Sequence, residues 1–383
     1  MASPAPREHG LDALRVAAFA LLIFYHSGLG YTTKWWIVKN PDQSAGLEHV
    51  MVFFHGWRLP LLFFISGAGA AFALRRRTLG QFAGERIVRL FVPLAFTMLV
   101  LVPPQIYLDR VQRGAHYDSY LAFHRTVLDL VPYNDGGALS WHHLWFVAYV
   151  LVFALVSLPL FALLRRPAGV RAAGELAGLL ERWPLALYLV PLPGVAAAYL
   201  MLPRWPANYV LLDDWANLAI TWLFFCWGFL FASERRLLDI VTGRRRELLA
   251  AAVAVTAAFY VVRFRGSAPY LVSNAIQGYF AMMWMLAFVG FARAWNPPST
   301  PLLRYATEAV YPFYILHQTI TVVLVYELAP VALGIAPKIA IVAAGTFLGS
   351  WLGYELVRRV TPLRPLFGLK LRSRGADQRR KPV

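Results

Sequence analysis

The stretch Leu11–Tyr31, LDALRVAAFALLIFYHSGLGY, holds Arg15 near one end and His26 in its farther half. It is otherwise apolar and long enough to cross a bilayer as a helix, which takes about 20 residues. A charged side chain at the bilayer centre costs about 2.5–3.5 kcal/mol on insertion scales, so such residues turn toward a protein interior or a wet cavity. At about 100° and 1.5 Å per residue, the interval from Arg15 to His26 returns to the same helix face roughly 16 Å farther along. One face therefore offers a fixed cation and, three turns away, a titratable imidazole.

Composition extends this reading to the whole chain. Of 383 residues, 59% are hydrophobic and only 15% charged, with a mean hydropathy of +0.53. Soluble proteins carry about 25% charged residues. Apolar windows recur near 11–31, 50–74, 87–108, 142–164, 184–202, 214–232, 247–262, 272–292, 309–333 and 335–357. The expectation is an all-α, polytopic membrane protein with about ten transmembrane helices. The net charge of +17 is distributed by topology: one set of alternate flanks holds 27 Lys and Arg and the other 9, with Arg58 inside a span, accounting for all 37. The positive-inside rule then places the N and C termini in the cytoplasm. That pattern argues against nucleic acid as a partner and for the lipid bilayer. Removing the first stretch as a signal peptide would leave an odd number of spans and spoil the alternation, so it is expected to stay. Three parts follow: a short polar lead over 1–10, a membrane domain over 11–359, and a basic, disordered cytoplasmic tail over 360–383.

Several local patterns carry chemistry. His55 and Arg58 are three apart and share a helix face ahead of Pro60 and Ser66-Gly67. Arg86 and Arg89 precede the third span and present two guanidinium groups to one patch, which suits phosphates; the plainer use of such a pair is to set topology. The stretch from Asp109 to Ser140 is the longest loop on the less basic side, either a lid over a substrate or a solvated connector. Asp213 and Asp214 are available to a polar substrate. Adjacent His142 and His143 point apart on a helix, and no spacing partners offer a metal site. The single cysteine, Cys226, lies in an apolar run and makes no disulfide framework. Tyr311, Tyr314 and Gln318 form a polar stripe on the ninth span beside His317, and such stripes serve either a cavity or bonding between helices.

Taken in order, Arg15 and His26, Leu61–Gly67 (LLFFISG), Arg86/Arg89, His143-Leu144-Trp145-Phe146 and Tyr311–Gln318 resemble the acyltransferase-3 family of multi-span membrane acyltransferases. Within it, Phe54–Phe72 and Pro103-Pro104-Gln105 look most like the periplasmic-glucan succinyltransferase branch. The resemblance implies an O-acyltransferase of the bacterial cytoplasmic (inner) membrane. It would move succinyl or acetyl from cytoplasmic acyl-CoA, a donor substrate and not a resident cofactor, to a hydroxyl of an envelope glycan or related sugar. His26 matches the family's catalytic histidine and Arg15 its motif arginine, and the resemblance implies that both are catalytic. The remaining expected contacts are Arg86 and Arg89 with the nucleotide end of the donor, Arg58 and His143 at the outer mouth, and Tyr311, Tyr314 and His317 along the cavity. Ser66 and Trp145, inside the matching motifs, are grouped with these binding residues. An imidazole can take the proton of a sugar hydroxyl as the thioester is attacked, or carry the acyl group itself. The rival reading is a transporter with an intramembrane His/Arg pathway, but the paired half-molecules and matching broken helices common in transporters are not visible.

Overall fold

The computed structural model describes residues 8–266 and 268–371. Its regular elements are all helical, with an isolated bridge between Pro132 and Leu139. Among the described residues, nine segments are long and apolar enough to cross a membrane: α1 (His9–Leu29), α2 (Ala45–Leu74), α3 (Leu79–Gln112), α5 (Pro184–Met201), α6 (Trp215–Ser233), α7 (Arg245–Arg265), α8 (Tyr270–Trp295), α9 (Pro301–Glu327) and α10 (Ile335–Arg359). The remaining one, α4, is a pair, His142–Val156 and Leu158–Leu164, bent by 52°. Pro159 cannot donate a backbone hydrogen bond and so breaks α4, and Trp222 Nε1 donates to Ser157 Oγ at the bend (2.8 Å). The chain is thus an all-α, multi-pass membrane protein, and its spans fall on the ten apolar windows.

Two compact units divide the chain. The first takes residues up to Ala18, Val52–Ala83 and Val152–Thr307; the second takes Phe19–Met51, Gly84–Leu151 and the chain from Glu308 onward. In lipid, helices gain little from the hydrophobic effect and associate by close van der Waals contact, which small residues permit. The first unit uses this where α2 meets α6. A Cβ at Gly67 would fall 1.9 Å from Phe225 O, and one at Gly228 would fall 1.9 Å from Phe64 O. Around that crossing, Phe161 stacks on Phe229 at 3.9 Å. In the same unit, the Arg293 side chain holds Glu8 (3.1 Å) and Asp239 (3.1 Å) and donates to Thr242 Oγ1 (3.0 Å).

The second unit repeats the device along a whole helix. Gly345, Gly349 and Gly353 of α10 lie one turn apart and receive Leu324, Ile320 and Leu316 of α9. Buried Thr321 and Thr346 share a hydrogen bond (3.0 Å) across the same seam. Val322, Val325 and Val342 then enclose Tyr31, Trp36, Ile37 and Val38 of the α1–α2 loop. Within α3, residues Ile87–Phe91 form a π turn, after which Pro93 lacks the N–H that would meet the Arg89 carbonyl in an α-helix. The helix breaks once more before Pro103 and resumes to Gln112.

The long loop packs against the end of α3 on a small core of Val102, Ile106, Phe123, Val127 and Ala138. Beyond α10, the basic stretch expected to be disordered is folded as far as residue 371. Thr361–Leu363 and Pro365–Phe367 make two 3₁₀ turns, because Phe367 finds Phe96 (5.5 Å between ring centroids) and Arg364 binds the Arg358 carbonyl and Glu308. Residues 372–383 of that stretch, like 1–7 of the N-terminal lead, lie outside the described residues.

Candidate functional site: a histidine chain in the second unit

His26 lies in the last turn of α1 and is half-buried. Its Nδ1 is 3.0 Å from His317 Nε2, and the two rings lie 5.0 Å apart and 29° from coplanar. His317 is 1% exposed, and its Nδ1 lies 2.7 Å from the Tyr314 carbonyl. A carbonyl can only accept, so in the neutral ring Nδ1 carries the proton and Nε2 is left as the acceptor. His26 must therefore donate Nδ1–H to His317. That fixes the tautomer of His26 and puts its own lone pair on Nε2, the nitrogen able to take a proton. Two backbone-anchored steps thus orient one imidazole, the role that a carboxylate plays in other histidine sites.

His143 completes the cluster. Its ring stands nearly perpendicular to that of His317 (5.3 Å, 88°), and its Nε2 donates to the Ile315 carbonyl (3.3 Å). The Tyr314 hydroxyl donates to the His143 carbonyl, while Phe19 packs edge-on against the Tyr314 ring (5.3 Å). His143 Nδ1, by the same tautomer logic an acceptor, is buried without a partner among the described residues. Trp36 closes another side, its ring 6.4 Å from that of His26. No three His, Cys, Asp or Glu side chains among the described residues are grouped as a metal ion requires.

Of the residues expected from sequence, the structure therefore gathers His26, His143, Tyr314 and His317. Tyr314 and His317 do more than line a cavity, since they hold His143 and His26 in place. Gln318, from the same polar stripe, bonds α9 to α3 through Gln105 (3.1 Å). Tyr311 packs instead against Gly368, whose φ of +70° admits no side chain without strain and whose added Cβ would meet the Tyr311 ring at 2.3 Å. Arg89 joins that end, with its Nε 3.4 Å from the Gly368 carbonyl and Nη1 3.5 Å from Glu85; Arg86 lies one turn earlier on α3. Trp145 stands at the start of the main α4 segment, edge-on to Tyr149 (5.1 Å).

Arg15, Arg58 and Ser66 belong to the first unit. There Arg15 pairs with Asp12 (3.6 Å), Arg58 is 2% exposed, and Ser66 Oγ donates back to the Leu62 carbonyl (2.8 Å). Asp214 does not await a substrate: it is fully buried and accepts from the backbone N–H groups of Asn208 and Tyr209 and from Asn217. Asp213 likewise accepts from Asn208 Nδ2 (3.0 Å). Sequence reasoning missed the direct contact of His26 with His317 and the approach of Trp36. The adjacent Trp35 and Trp36 were the available signal, since paired aromatic residues beside a span suit the membrane interface.

The sequence profile of a family described as an acyltransferase domain matches residues 8–355. Proteins called glucans biosynthesis protein C from Salmonella agona, Salmonella paratyphi B and Salmonella dublin are 26% identical over 221 residues. The alignment takes in 57% of this chain and 55% of theirs; the chain spans about half the length of these curated relatives.

Proposed function

Because the chain belongs to the acyltransferase-3 family of membrane acyltransferases, we propose that it transfers a succinyl or acetyl group from acyl-CoA to a hydroxyl of an envelope glycan or related sugar. The observation that carries this reading is the contact between His26 Nδ1 and His317 Nε2. A sugar hydroxyl is a weak nucleophile at neutral pH, and a positioned base speeds its attack by about 10²–10⁴-fold. In the proposed reaction the hydroxyl proton passes to His26 Nε2 as the oxygen bonds to the thioester carbonyl carbon. The C–S bond then breaks, the imidazolium returns the proton to sulfur, and CoA leaves as the free thiol. His317 keeps its grip on Nδ1–H throughout, so the new cation is hydrogen-bonded at the moment it forms.

The distribution of basic residues supports cytoplasmic termini, and the Salmonella relatives support a bacterial inner membrane. On that orientation the donor enters from the side of Arg86 and Arg89, whose guanidinium groups suit its phosphates, and the acceptor arrives from the opposite side. The glucan named in the relatives supports a glycan acceptor, and the CoA donor rests on the family. Arg15, Arg58, Ser66 and Trp145 are proposed to contribute to substrate binding on the strength of their motifs.

Mass spectrometry of envelope glycans tests the reading in cells with wild-type protein, His26→Ala, or no gene. An acyl increment is expected with wild type alone, and its mass names succinyl or acetyl. Full modification by a correctly inserted His26→Ala protein sinks the site assignment; identical glycans in all three strains sink the acceptor class.

A further inference from the structure

The α1–α2 loop turns its two adjacent tryptophans in opposite senses. Trp36 is 7% exposed and faces His26, whereas Trp35 is 68% exposed. Exposure of Trp35 does not come from slack backbone. The Lys39 N–H donates to Gln112 Oε1 (2.8 Å) and Gln112 Nε2 donates back to the Lys39 carbonyl (2.7 Å). The Lys39 ammonium group spans the carbonyls of Leu29, Thr32 and Lys34. Buried Lys338 of α10 reaches Asn40 (3.2 Å) and Asp42 (2.9 Å). The loop that carries Trp35 is thus anchored on both sides, and the ring stands exposed at a fixed place beside the buried Trp36.

Its surroundings define what it recognises. The Arg113 guanidinium lies over the Trp35 ring at 6.0 Å. Arg113 Nε donates to Asp109 (2.8 Å), and the other oxygen of this buried carboxylate accepts from the Tyr133 hydroxyl (2.8 Å). Burial and Asp109 push the Tyr133 phenol up to about 12, so it keeps the proton it donates. Arg110 fixes the neighbouring turn through the Gly136 and Gly137 carbonyls. The result is an exposed aromatic ring with a guanidinium, itself held by Asp109, lying over it. An indole carries negative charge density on its face, which matches the slightly positive, apolar C–H face of a pyranose, while guanidinium N–H donors match its hydroxyls.

We propose that Trp35 and Arg113 form an acceptor platform on which a neutral pyranose of the glycan lies, on the loop whose next residue, Trp36, faces His26. The assignment rests on the transferase reading for its purpose and adds the residues that hold the acceptor. A membrane anchor is the other common use of a tryptophan at this level, but a guanidinium over the ring keeps water on that face and disfavours lipid there.

The test is binding of a linear β-glucan hexasaccharide, followed by saturation-transfer NMR, to full-length His26→Ala protein in nanodiscs, a background chosen to stop turnover. Adding Trp35→Leu, which keeps an apolar anchor but removes the π face, is expected to raise the Kd about tenfold. Adding Trp35→Phe is expected to raise it less than about threefold, and acetyl-CoA binding should hold in both. An unchanged hexasaccharide Kd with Trp35→Leu overturns the platform. Should that variant also lose acetyl-CoA, Arg113→Gln decides, since it leaves the loop clamps intact; a raised hexasaccharide Kd there upholds the platform and an unchanged one overturns it. Failure of the transferase reading looks different: the hexasaccharide binds through Trp35, yet cellular glycans carry no acyl group with wild-type protein.

Discussion

His317 acts on His26 through a single nitrogen, and that makes its contribution separable. His317→Ala is expected to lower kcat about 10–100-fold with little change in KM for either substrate, because it removes positioning and leaves the binding surfaces intact. His317→Asn, whose amide can both accept and donate, should recover part of the loss; equal losses in both variants, or a rise in KM alone, would remove His317 from the positioning role. Lys39 offers a second residue-scale test. Its burial among carbonyls lowers the ammonium pKa from 10.5 to about 8, opposed in part by Glu48. The folded protein then releases this proton before the unfolded chain does, so stability rises with pH between about 8 and 10.5. Relative to Lys39→Met, the thermal midpoint of the wild type should climb across that window and run parallel below it. A difference that is flat or falls there contradicts the assignment. The histidines themselves were legible in the sequence as a set, but their connections were not. Both anchors of the cluster are backbone carbonyls, Tyr314 and Ile315, and residue identities say nothing about where a carbonyl points.

Helices were the most legible level, because each apolar window is long enough to demand one. Their pairing was harder to read. The α9–α10 seam has a plain signature in Gly345, Gly349 and Gly353, and reading four-residue spacing of small residues would have found it. The α2–α6 crossing has no such signature, since Gly67 and Gly228 meet backbone from two distant parts of the chain. Gly67→Ala is expected to destabilise the detergent-solubilised protein by about 1–3 kcal/mol, the usual cost of overpacking. Gly69→Ala, with nothing within 4 Å of its added Cβ, should leave the thermal midpoint unchanged. A similar fall in both variants would mean that backbone flexibility and not contact sets their effect.

For the whole molecule, charge distribution makes the firmest sequence-based prediction, because insertion reads lysines and arginines before tertiary packing exists. In a Cys226→Ser background, a membrane-impermeant maleimide added to intact cells should label Asp118→Cys and spare Glu175→Cys; the reverse pattern would invert the topology and with it the direction of donor entry. The extent of the docked C-terminal segment was not legible, since its basic composition hides one aromatic anchor, Phe367. The π turn at Ile87–Phe91 has a consequence for how length varies among relatives. A π turn is the form a helix takes when it accommodates a surplus residue without giving up its axis. Deleting one residue there would restore ordinary winding and leave Arg86 facing nearly the same way with respect to Pro93, because the wider turn already absorbs that residue's rotation of about 100°. A homologue shorter by one residue at this point would thus keep both a sound helix and the direction of its first arginine, so a single gap in an alignment there would leave the proposed donor grip unchanged.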